Sequence, residues 1–100
     1  MFRLSLEEAL RQKPKAIAFL ERIRKIYMGQ IERADRKKLE DLYTFFEKKE
    51  YEATAHELLL RRNRELYPRL ITPELLTHKS RSILFWRGLK KECERRLKLV

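Results

Sequence analysis

Glycine and proline are scarce in this chain, with two and three residues among 100. An all-β fold needs such residues at its many turns, so their scarcity argues against it and leaves helix as the expected element. Two glycines also cannot build a phosphate-cradling loop. The single cysteine, Cys93, allows no internal disulfide, which fits a reducing compartment. Apolar runs are short, as at residues 83–86, whereas a membrane span needs roughly 18 such residues. No integral membrane association is expected. The first residues, Met1-Phe2-Arg3-Leu4-Ser5, run into acidic Glu7 and Glu8 where a secretory signal would carry its apolar core, so a cytoplasmic, intracellular protein is expected.

Chemistry-bearing residues are equally few. Zinc sites use several Cys or His at set spacings, and Glu92-Cys93-Glu94 with two distant histidines, His56 and His78, supplies no such set. Neither a metal nor a cofactor is expected. These residues also offer no assembly of nucleophile, base and orienting group of the kind covalent catalysis uses. No catalytic residue is assigned, and a non-enzyme is expected.

Charge, by contrast, is abundant. Charged residues make up 40% of the chain, where about 25% is usual. Its 25 basic and 15 acidic side chains give a net charge of +10. Residues 1–60 carry 13 basic and 11 acidic side chains, a net of +2, whereas residues 61–100 carry 12 and 4, a net of +8. Solubility alone needs no such concentration of one sign, so a polyanionic partner is expected. Two Gln and one Asn beside many Lys, Arg and Glu resemble the composition of proteins from hot-growing organisms.

A chain of 100 residues forms one domain, here 1–100, with a single modest core. Ser5-Leu6-Glu7-Glu8 has the form of a capping box and predicts a short helix over 6–12. Pro14 suits a helix start, and Leu20, Ile23, Tyr27, Ile31 and Ala34 recur on one stripe, predicting a helix over 14–34 that runs through Gly29. Asp35 is a suitable N-cap for a helix carrying Leu39, Leu42, Tyr43 and Phe46 and ending near Lys48 and Lys49. After a tight connection at Lys49 and Glu50, a helix is expected over 51–67, with Tyr51, Ala55, Leu58, Leu59 and Leu66 on one face and Ala53, Leu60 and Tyr67 on the other. Thr72, Pro73 and Glu74 can open a short helix to about His78, and a turn at 79–82 leads into a final helix. The expected fold is therefore all-α: a small irregular bundle of four main helices plus a short N-terminal helix, with a helix-turn-helix-like unit near the C-terminus.

The final helix carries the functional expectation. At about 100° per residue, Trp86, Leu89, Cys93 and Leu97 share one sector and Arg87, Lys91, Arg95 and Lys98 another. A line of four cations follows a phosphate backbone and releases its counterions. Arg81, and Arg61, Arg62 and Arg64 from the preceding helix, extend this nucleic-acid-binding set. Leu84 projects into the basic sector and Phe85 to its edge, where apolar groups can touch sugars, bases or thymine methyls. No Asn or Gln stands where a reading helix would contact adenine, so binding with little sequence preference is expected, to DNA ahead of RNA. Arg62 falls among Leu58, Leu59 and Leu66, where pairing with Glu40, Asp41 or Glu47 would satisfy it. The alternative is a helical adaptor subunit of a larger complex, or a homodimer, using Phe45, Ala53, Leu60, Tyr67 and Phe85 as the interaction surface.

Overall fold

The computed structural model describes Ala9 and residues 17–99; the expected helix at 6–12, Ala9 apart, and the first turn of the expected helix at 14–34 lie outside the described residues. Asp35 and Thr72 mark the helix starts, as their side chains predict. The Asp35 carboxylate accepts from the Lys38 N–H at 2.8 Å, and the Thr72 hydroxyl accepts from the Leu75 N–H at 3.2 Å, with Pro73 at the first helical position. Each cap satisfies a backbone donor that the first turn leaves open.

Among the described residues three helices are complete: α1 over Ile17–Arg33, α2 over Arg36–Arg62 and α3 over Pro73–Leu97. Every regular element among the described residues is helical. α1 passes through Gly29 as expected, whereas α2 ends at Arg62, so residues 63–67, expected to be helical, join 68–72 in the connection ahead of Pro73.

Two of the expected breaks are absent. The connection at Lys49 and Glu50 is continuous helix within α2, because the buried positions Leu39, Leu42, Phe46, Ala53, His56 and Leu60 recur at helical spacing straight through it. The turn at 79–82 is continuous helix within α3, whose buried positions are Leu76, Lys79, Ile83, Leu89 and Cys93. Ser80 and Ser82 do not cap a helix. The Ser80 hydroxyl donates to Glu57 at 3.1 Å and the Ser82 hydroxyl to the His78 carbonyl at 3.2 Å, so both are satisfied within an unbroken helix. The helix-turn-helix-like unit is therefore not formed, and among the described residues three helices, two of them longer than expected, stand in place of the four main ones.

α2 and α3 run antiparallel and share most of the core. One apolar cluster gathers Ile31, Leu39, Leu42, Phe46, Leu89 and Cys93, drawing on all three helices. Tyr27, Phe46 and Trp86 interlock around it, Tyr27 edge-on to Phe46 at 5.1 Å and Phe46 stacked on Trp86 at 6.1 Å. A second cluster joins Ala9, Leu60, Ile71 and Leu76 at the other end of the hairpin. Burying each large aliphatic or aromatic side chain contributes roughly 1.5–3 kcal/mol. Between the clusters the seam holds Ala53, His56, Lys79 and Ile83, two of them polar. Burial pushes the Lys79 ammonium down from its ordinary pKa, and the nearby Glu52 charge partly opposes it.

The buried face of α2 corrects two expectations. Ala53 and Leu60 are 8% and 0% exposed, so they line the hairpin and offer no surface to a partner. Tyr51 and Leu58, on the other apolar face, are 62% and 49% exposed, so the two faces are not both buried.

Candidate nucleic-acid interface

α3 turns one continuous face to solvent. Arg81, Leu84, Gly88, Lys91, Arg95 and Lys98 are all exposed and recur at alternating intervals of three and four residues. That spacing keeps them on one line along the helix axis, and the span from Arg81 to Lys98 is about 25 Å at roughly 1.5 Å per residue. Opposite it, Leu89 and Cys93 are buried, with Trp86 and Leu97 packed against the same cluster. The two-sector division expected from the sequence is thus present, with Arg81 on the cationic line and Arg87 at its flank.

The flank is defined by pairing. Glu50 of α2 accepts from Arg87 Nε at 2.9 Å and meets Lys90 Nζ at 2.8 Å, which draws both cations toward the seam. Burial raises the Glu50 pKa, but the bonds from Lys90 and Arg87 outweigh it and hold the carboxyl below its ordinary range. Glu92 accepts from Arg95 Nε at 3.1 Å and lies 3.4 Å from Arg96 Nε. The Arg95 bond lowers the Glu92 pKa, against a smaller opposing effect of burial. Tyr43 donates to Glu94 at 3.2 Å. The acids that dilute the patch in sequence are thus held by neighbouring side chains.

The arginines of 61–64 are distributed differently. Arg61 Nε bonds Glu57 at 2.8 Å, and Glu57 in turn accepts from Ser80 of α3. Arg62 is exposed on the outer face of α2, and Arg64 is exposed in the connection. The expected pairing of Arg62 with Glu40, Asp41 or Glu47 does not occur. All three stand on the same continuous helix, and the nearest is about 22 Å along its axis. Of the adaptor residues, Phe45 and Tyr67 are 38% and 45% exposed. Phe85 is half-buried, edge-on to Trp86 at 4.8 Å, so it belongs chiefly to the core.

Three features have little local signal in the sequence. Glu50 stands opposite Arg87 only because α2 continues through the expected connection. Lys79, within the expected turn, shares helical spacing with Leu76, Ile83 and Trp86. Gly88, at the centre of the exposed line, carries no side-chain signal. Cys93 is buried, and burial pushes its thiol up to about 11. Among the described residues no group of His, Cys, Asp and Glu is placed to hold a metal ion. No helix of these residues is long and apolar enough to cross a membrane. Comparison with protein-family models, with curated proteins and with solved structures finds no match.

Proposed function

We propose that this chain is a small, non-catalytic, intracellular nucleic-acid-binding protein, acting on DNA ahead of RNA through the outward face of α3. The observation that carries the reading is the line of Arg81, Lys91, Arg95 and Lys98, exposed along one side of a helix whose opposite side is core. Such a line matches the linear charge of a phosphate backbone, and contacts to phosphate carry little sequence preference. Arg61, Arg62, Arg64 and Arg87 add positive potential around it without sharing its line.

The test is affinity for a DNA duplex of about 20 base pairs across a salt series, the slope of log K against log salt being about −0.9 for each phosphate neutralised. Changing Lys91, Arg95 and Lys98 together to Gln is expected to make that slope shallower by about two to three. The same change at Lys37, Lys38 and Lys48 of α2 serves as the charge-matched control and is expected to leave it nearly intact. Equal slopes for the α3 and α2 variants would remove the assignment.

A second reading, the adaptor, draws on a different observation. Tyr51 and Leu58 on the outer face of α2, with Leu66 and Leu70 beyond it, are large apolar side chains between 49% and 71% exposed. If this reading holds, the docking face is this one, with Phe45 and Tyr67 beside it, and not Ala53 and Leu60. Light scattering of the purified chain distinguishes a self-associating adaptor from a monomeric nucleic-acid binder.

A further inference from the structure

Gly88 stands midway along the cationic line, in the interior of a 25-residue helix. A glycine there costs about 1 kcal/mol relative to alanine. Nothing among the described residues accounts for it. Beyond its own helix backbone and chain neighbours, a Cβ built at Gly88 meets no atom of the described residues within 4 Å, and neither glycine adopts a positive φ. Gly29 differs, since a Cβ there would touch the Arg33 guanidinium at 3.5 Å. The space at Gly88 is therefore external space, on the outward side of α3, between Leu84 and Lys91.

The composition of the line narrows what can occupy that space. No aromatic ring lies on it, since Phe85 and Trp86 pack into the core cluster. Single strands are held largely by stacking bases on exposed rings, and this face offers none. Duplex B-DNA has a major groove about 12 Å wide, close to the roughly 10–12 Å diameter of a helix with its side chains. The major groove of an A-form RNA duplex is deep and too narrow for such entry. Leu84, 62% exposed within the cationic line, supplies an apolar group of the kind that meets a thymine methyl.

We infer that α3 docks in the major groove of duplex DNA with Gly88 at the point of nearest approach, Leu84 toward the base edges, and Arg81, Lys91, Arg95 and Lys98 toward the flanking phosphates. This rests on the nucleic-acid reading above and adds the form of the ligand and the mode of contact.

The experiment compares the wild type with Gly88→Leu and Gly88→Gln on one duplex DNA, its single strand and the corresponding duplex RNA, with circular dichroism and thermal melting of each protein. The wild type is expected to bind duplex DNA most tightly. Both variants should keep full helix content and melt no lower than wild type, because the added side chain has open space around it. Each should nevertheless lose about tenfold in affinity for duplex DNA. Salt-dependent wild-type binding that both substitutions leave unchanged would overturn the groove docking, as would equal binding to single strand or duplex RNA, and either result leaves the phosphate-binding reading standing. No salt-dependent binding to any of the three would remove both.

Discussion

The carboxylate of Glu50 accepts from Arg87 Nε at 2.9 Å across 37 residues of chain. With Lys90 on its other oxygen at 2.8 Å, this ion triad fastens the middle of α2 to α3. It also draws charge inward, so the sequence surplus of +8 in residues 61–100 overstates what α3 shows to solvent. The cations left facing outward form the line that the functional reading uses.

Glu50→Gln leaves Arg87 and Lys90 facing an uncharged amide and is expected to cost about 1–3 kcal/mol at neutral pH. The folded carboxyl titrates below its ordinary value of 4.5. Its stabilisation is therefore fully present above that value and is lost as pH falls through the lower folded value. Urea melts of wild type and variant should differ clearly at pH 7 and converge in strong acid. A difference that persists unchanged at pH 2 would show that the loss is not one of charge pairing.

Gly88→Ala is expected to raise stability by up to about 1 kcal/mol, since it gains helix propensity and clashes with nothing. The corresponding rise in Tm is about 4–8 °C for a domain of this size. Gly29→Ala should act in the same direction, because the Arg33 guanidinium at 3.5 Å is only in ordinary contact. A fall in Tm for Gly88→Ala would mean that the position is occupied from within the protein.

Leu58 and Leu60, two residues apart on α2, are predicted to behave oppositely. Leu60 is fully buried in the second apolar cluster, so Leu60→Ala is expected to cost about 2–5 kcal/mol. Leu58 is 49% exposed, and Leu58→Ala should stay within about 1 kcal/mol. Chemical denaturation of the pair tests the orientation of α2 directly. Similar losses would contradict the orientation described.

Cys93 should be inert in the native state. Its thiol is buried and pushed up to about 11, so at pH 8 it is almost wholly protonated and shielded. A thiol reagent is expected to react only as fast as the protein opens, and rapidly in denaturant. Fast native-state labelling at pH 8 would count against the packing around Trp86 and Leu97.

Much of this was legible in the sequence where a local chemical signal existed. Asp35 and Thr72 announce helix starts because their side chains complete a backbone bond, and both do so. The opposition of Leu89 and Cys93 to Lys91 and Arg95 follows from helical phase alone. Lys49-Glu50 and Lys79-Ser80-Arg81-Ser82 misled because charge and serine favour turns only when nothing opposes them. Here each stretch lies in a helix whose inner face continues on either side, and Glu57 across the seam takes the Ser80 hydroxyl. The choice between the two apolar faces of α2 was not readable locally. Leu58 and Leu60 are the same residue type, and only the position of α3 decides which is buried.

The polar pair between the two apolar clusters governs how the hairpin is assembled. Sliding one helix by a single turn, about 5.4 Å, would change the position of the buried Lys79 ammonium relative to Glu52, whose charge partly offsets its burial. Misaligned hairpins are thereby penalised more heavily than a uniformly apolar seam would allow, as with a lone polar residue in a coiled-coil core. The seam thus proofreads its own alignment, and the alignment it selects is the one that brings Glu50 opposite Arg87 and leaves the line from Arg81 to Lys98 facing out.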